Sequence, residues 1–140
     1  MKKTIIFAMT HLSVIVNGIE IPNNVVWAIG QVEGGTTGKA TKEPNGSYSY
    51  GRYQIRTVFL ADVNKYYGWN CEIKDVRDYD NFGAEICRYG LAMIMERRKC
   101  KLRTAVATYN GGWGNRNAEQ CRDYAKRVMA IANKEVNRKL

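Results

Sequence analysis

One glutamate, Glu33, has a setting in which a carboxyl group could act as an acid near neutral pH. It stands four residues after Ile29 and seven after Val26, a spacing that puts all three on one side of a helix. Apolar neighbours strip water from a carboxyl and disfavour its charged form, and a glutamic acid that keeps its proton can deliver it to a glycosidic oxygen. The plainer alternative is a helix-end Glu whose side chain simply reaches solvent. Metal chemistry has little to stand on. The one histidine is His11, and Cys71, Cys87, Cys100 and Cys121 are spaced by 16, 13 and 21 positions with no C-x-x-C pair. No metal and no cofactor is expected.

The elements that must carry Glu33 follow from periodicity. Pro22 suits the first turn of a helix, Val25, Ile29 and Val32 continue one buried face, and Gly34-Gly35 ends it. Thr36 to Ser49 is rich in Gly, Thr, Lys, Asn and Ser, and Glu43-Pro44-Asn45-Gly46 is a turn signal, so a loop or small hairpin is expected. Tyr48 to Arg56 alternates loosely as a short extended piece. Thr57 to Tyr67 reads as a helix stopped by Gly68, and Trp69 to Tyr79, without a clean period, as a loop. Asn81 to Arg98 is the longest helix, its stripe running through Phe82, Ile86, Tyr89 and Met93. Leu102 to Asn110 is a shorter one broken by Gly111-Gly112, and Asn117 to Asn137 closes the chain with Cys121, Tyr124, Val128 and Ile131 on one face. The expected fold is mainly α-helical, with a small irregular or β segment near residues 36–56.

A length of 140 residues gives room for one domain, and 45% hydrophobic with 25% charged residues is an ordinary globular balance. The net charge of +9 attracts anionic partners such as nucleic acid, acidic lipid or bacterial wall. The densest basic runs, Arg97-Arg98-Lys99 with Lys101 and Lys134 to Lys139, fall at helix ends, where solvation is the ordinary role. Lys2-Lys3, the apolar run Ile5 to Val16 and then Asn17-Gly18 have the order of a secretory signal, residues 1–18, with an N-terminal core helix as the alternative. The run is too short for a stable membrane span, which needs roughly 20 residues. A periplasmic or secreted location is expected, and an even cysteine count behind an export signal suggests two disulfides in one of three pairings, four reduced thiols being the other option.

Four segments recur in a meaningful order: Val32-Glu33-Gly34, then Ser49-Tyr50-Gly51-Arg52-Tyr53-Gln54-Ile55, then Ala107-Thr108-Tyr109-Asn110-Gly111-Gly112, then Tyr124-Ala125-Lys126-Arg127-Val128. Together, over about residues 21–128, they resemble the lytic transglycosylases, the lysozyme-like domains related to soluble lytic transglycosylase. The resemblance implies an α+β lysozyme-like catalytic domain over residues 19–140, with Glu33 as the acid and then the base. It also implies that Gln54 and Asn110 hydrogen-bond the sugar and that Tyr109, Tyr124, Ser49 and Tyr53 line the site, one tyrosine orienting Glu33. Amides and phenols suit N-acetylated sugars in kind. Three departures stand out: Gly34 replaces the Ser that usually follows the catalytic Glu, Arg52-Tyr53 replaces Leu-Met, and Thr108 replaces Ala.

A hydrolytic glycosidase generally needs two carboxyl groups. Glu43 and Asp62 are the candidates for a second, and neither sits in a recognisable motif. The transglycosylase route needs one, because the C6 hydroxyl of the muramic acid attacks in place of water. The expected activity is therefore cleavage of the MurNAc-GlcNAc β-1,4 bond with 1,6-anhydro-MurNAc ends. A lysozyme-type muramidase using Glu43, and a non-catalytic wall-binding component of a virion or secretion apparatus, are the rivals. Peptidoglycan glycan strands are the expected partner, alongside a secretion, conjugation or phage apparatus. Nucleic acid is not expected, since only charge speaks for it.

Overall fold

The computed structural model describes residues 13–34 and 36–139, with 138 and 139 in backbone only. Residues 1–12, which carry Lys2-Lys3, His11 and most of the apolar run, lie outside the described residues. Ser13–Val16 (β1) and Ile19–Pro22 (β2) form an antiparallel hairpin. Its turn is Asn17-Gly18, at φ 49° and 79°, the pair of positive φ values that lets a two-residue turn follow the strand twist. Val16 and Ile21 point into the core. The dipeptide that ends the expected signal over residues 1–18 is thus the hairpin turn.

Asn23–Glu33 (α1) follows directly, with extended Pro22 as its N-cap. Ala40–Lys42 (β3), Tyr48–Tyr50 (β4) and Ile55–Arg56 (β5) make the small antiparallel sheet expected near residues 36–56. The β3–β4 turn is closed by Glu43 N–H donating to the Ser47 carbonyl at 2.7 Å. The other helices among the described residues are Thr57–Tyr67 (α2), Ile73–Asp78 (α3), Asp80–Arg98 (α4), Leu102–Gly111 (α5) and Glu119–Lys139 (α6), with a 3-10 turn at Trp113–Asn115. Among the described residues the domain is mainly helical with two small sheets. No helix among the described residues is long and apolar enough to cross a membrane.

Helix α3 corrects the loop expected over Trp69–Tyr79. It is too short for a period, and Val76 is its one buried residue. What holds the segment is tertiary: the Asn64 side chain bonds both the N–H and the carbonyl of Cys71, each at 3.0 Å, and α3 packs on α4 and β4. The Val76 carbonyl also closes over Gly51, where an added Cβ would lie 2.5 Å from it and φ is +73°. Only glycine fits there.

Helix α4 is the axis of the core. Ile86, Cys87, Leu91, Ala92, Met93 and Ile94 are buried on several sides of it, because α2, α3, α5 and α1 all pack against it. Helix α6 lies across α1 and α5 through Cys121, Tyr124, Ala125, Val128 and Ala132. That packing brings the first and last motifs of the chain together.

Candidate active site

Glu33 is the last residue of α1. The next position, Gly34, adopts φ +63° and returns its N–H to the Gly30 carbonyl, a left-handed cap that glycine fills without strain. This gives a physical reason for the missing serine. A Cβ at Gly34 would meet nothing within 4 Å, so Gly34→Ser carries only the left-handed conformational penalty. It is expected to lower stability by about 1 kcal/mol, read as a reduced denaturant midpoint with unchanged slope.

The Glu33 carboxyl is half-buried and accepts a hydrogen bond of 2.6 Å from the Tyr124 hydroxyl. Loss of hydration raises its pKa above the ordinary 4.5, while the Tyr124 bond pulls the other way, as do the charges of Arg56 and Arg127. Glu43 adds a further upward push, and the partial negative charge at the end of α1 acts in the same sense. Burial likewise drives the Tyr124 phenol far up, with the Glu33 charge reinforcing it. Tyr124 therefore donates a hydrogen bond to Glu33 and does not exchange protons with it near neutral pH.

Tyr109 sits behind this pair. Its buried hydroxyl donates to the Tyr53 carbonyl at 2.6 Å, and burial, with Cys87, Tyr124 and Glu33 nearby, keeps it protonated. The Tyr53 ring is wedged between α1 and α4 in room left by Gly30 and Gly83, where an added Cβ would come within 3.0 Å and 3.2 Å of the ring. Both tyrosines are buried and tie the Tyr50–Ile55 segment to the helices. Cys87 is fully buried under them, its thiol pKa driven up by desolvation. The four cysteines are free thiols in this structure.

The other expected site residues are spread around this centre. Ser49 is buried and its hydroxyl donates to the Glu43 carboxylate, so the hairpin holds Glu43 towards Glu33. Gln54, at φ 51°, gives a side-chain N–H to the Gly51 carbonyl at 2.9 Å and closes the turn between β4 and β5. Asn110 accepts a contact from the Cys121 thiol at 3.5 Å. It shares an open depression of about 450 Å³ with Tyr124 and Arg127. A second cleft, about 430 Å³, runs between the β3–β4 turn, α2 and the end of α4 and is lined in part by Arg56, Asp62 and Thr108. Glu33 lines neither depression directly. Tyr124 and Arg127 on one side and Arg56 on the other are the groups that join its carboxyl to the two.

Neither Arg56, one residue past the second segment, nor Arg127, within the fourth, carries a sequence signal of a role beside Glu33. Arg56 ends β5 and donates to the Tyr109 carbonyl at 3.3 Å, a pairing across 53 positions that no local pattern encodes. Asp62, one of the two candidate second carboxylates, belongs to the second cleft, whereas Glu43 is the one whose field reaches Glu33. No cluster of three or more His, Cys, Asp or Glu that could hold a metal occurs among the described residues. The arrangement supplies one carboxyl biased towards its protonated form, a phenol that orients it, an amide at the adjoining depression, and two guanidinium groups close enough to stabilise negative charge. No known protein family, characterised protein or solved structure matches the chain.

Proposed function

We propose that the chain is an exported, lysozyme-like lytic transglycosylase that cuts the MurNAc-GlcNAc β-1,4 bond of peptidoglycan and leaves 1,6-anhydro-MurNAc ends. The observation that carries this reading is the Tyr124 to Glu33 hydrogen bond. It joins the first and last of the four motifs, 91 positions apart, around a carboxyl that burial biases towards its acid form.

In the first step, protonated Glu33 gives its proton to the glycosidic oxygen as the bond to the anomeric carbon breaks. The carboxylate so formed is held by the Tyr124 hydroxyl, with Arg56 and Arg127 in range, a favourable setting for charge that develops only as reaction proceeds. The C6 hydroxyl of the same muramic acid then closes on the anomeric carbon, and its proton returns to Glu33. Atoms balance without water, metal or cofactor, and the enzyme ends as it began. Asn110 and Gln54 hydrogen-bond the N-acetyl sugars, and Ser49, Tyr53 and Tyr109 shape the walls. The partners are glycan strands, served in the periplasm or outside the cell and in association with a secretion, conjugation or phage apparatus.

A second reading, a water-using muramidase, is favoured by one observation, the field of Glu43 at Glu33. Digestion of sacculi by the wild type and by Glu43→Gln, followed by mass spectrometry, separates the two. The transglycosylase gives muropeptides one water lighter than the hydrolase does, and Glu43→Gln is expected to retain both that product and most of the rate. Appearance of the heavier product alone, lost in Glu43→Gln, would overturn the transglycosylase in favour of the muramidase.

A further inference from the structure

The turn from α4 to α5 gathers most of the chain's net charge. Residues 97–118 hold six of its 22 basic residues and none of its 13 acidic ones, so they account for six of the nine net charges. Arg97, Arg98, Lys99, Lys101 and Arg103 are exposed and Arg116 is half-buried. No ion pair among the described residues involves any of the six. Arg98 and Arg116 share one ring, lying 4.9 Å and 3.8 Å from the centre of Trp113. Burial raises the Cys100 thiol pKa while the charges of Arg116 and Arg98 lower it, which sets both guanidinium groups beside the residue between Lys99 and Lys101.

Local structure does not account for these cations. The end of α4 offers a partial negative charge of about half a unit, which Arg97 and Arg98 in its last turn already exceed. Lys99 caps that helix in the left-handed conformation, at φ 51°, which glycine adopts at lower cost. Lys101 and Arg103 stand at the opposite kind of helix end. Lys101 is the N-cap of α5 and Arg103 its second residue, with no acidic residue in the first turn. A helix presents its positive end there, and added cations are unfavourable. Lys99, Lys101 and Arg103 thus hold charge where the fold gains nothing from it.

Six cations spread over one turn and its flanking helix ends form a surface, and clusters of four to eight Lys and Arg are the size that anionic lipid headgroups attract. An apolar edge borders the cluster. Val58, 74% exposed, and half-buried Trp113 lie at one cleft with Arg97 and Arg98, and an indole beside cations suits the headgroup level of a bilayer. Nucleic acid fits less well, because bases stack on open aromatic faces and Trp113 already carries two guanidinium groups. We infer that this end of the molecule docks peripherally on a bilayer rich in anionic phospholipid. The inference does not depend on the glycan-cleaving reading, since Lys99, Lys101 and Arg103 line neither depression beside Glu33.

The full chain is cosedimented with vesicles of phosphatidylcholine alone and of phosphatidylcholine and phosphatidylglycerol in equal parts, in about 0.1 M salt. The wild type is expected to bind the mixed vesicles, to leave the neutral ones, and to be released as salt rises to about 1 M. Lys99→Gln/Lys101→Gln/Arg103→Gln is expected to bind about a hundredfold more weakly, roughly fivefold for each cation removed. Lys39→Gln/Lys65→Gln/Lys134→Gln changes three other exposed lysines and reaches the same net charge, and it is expected to lose no more than about threefold. The first variant is also expected to melt higher than the wild type, because Lys101 and Arg103 oppose the α5 dipole, so unfolding cannot explain its weaker binding. No preference for phosphatidylglycerol, equal loss in the two variants, or a first variant that melts lower overturns the inference. Tighter binding to a DNA or RNA oligonucleotide than to the mixed vesicles, lost in the first variant, overturns it in favour of nucleic acid.

Discussion

Glu33→Gln is expected to reduce glycan cleavage by about 10³-fold, within the range that positioned general acid–base groups supply, while far-UV circular dichroism and wall binding stay as in the wild type. The amide keeps the shape of the side chain and can still accept the Tyr124 hydrogen bond, but it has no proton to give. Stability should move the other way. Because folding raises the Glu33 pKa above 4.5, the folded chain binds the proton more tightly than the unfolded one. The favourable contribution is complete below the unfolded pKa and is lost as pH rises through the folded value. Above the folded pKa the wild type bears a partly buried charge that the variant lacks, and there Glu33→Gln is expected to melt higher than wild type. The gap should close as pH falls below about 4.5. A variant with undiminished lysis would remove Glu33 from the chemistry, and one that melts lower than wild type in alkaline buffer with the gap widening in acid would contradict the burial argument.

Tyr124→Phe is expected to lower cleavage by about 10- to 100-fold, the range implied by removing a hydrogen bond to a charged group, roughly 1.5–3 kcal/mol. The bond orients the carboxyl for proton transfer and then stabilises the carboxylate that transfer creates. Its loss has a second signature that simple loosening of the fold would not produce. The Tyr124 bond holds the Glu33 pKa down against desolvation, so removing it lets the pKa climb further. Since the proton-donating form is the active one, the alkaline limb of the rate profile should shift to higher pH in the variant. A limb that stays in place, or moves to lower pH, would mean that Tyr124 only packs against α1.

The basic runs and the glycines read differently once neighbours are known. Arg97 and Arg98 look in sequence like the solvated end of a long helix, the expected fate of cations in a last turn. Their partners, the rings of Tyr66 and Trp113, come from other elements, and so does the cleft they edge. Gly34 reads as a stop signal and is one. Gly30 and Gly83 carry no such signal, since their role is to make room for a ring 23 and 30 positions away in Tyr53. The Asn17-Gly18 turn is the reverse case. Its hairpin signal was present locally, masked by an apolar run that reads equally as an export signal.

The sequence by itself determined the helices longer than two turns, the hairpin following α1, and the cap at Gly34, because each depends on neighbours within four residues along the chain. It also determined the identity of Glu33 as the carboxyl with an apolar flank. Tertiary structure alone decided what surrounds that carboxyl. The Tyr124 hydroxyl reaches it across 91 positions, Arg56 and Arg127 reach it from β5 and α6, and Glu43 is turned towards it by the Ser49 hydroxyl. The bias of Glu33 towards its acid form depends on desolvation and on the sum of these charges, and both are set by packing between α1, α5 and α6 that no spacing along the chain encodes.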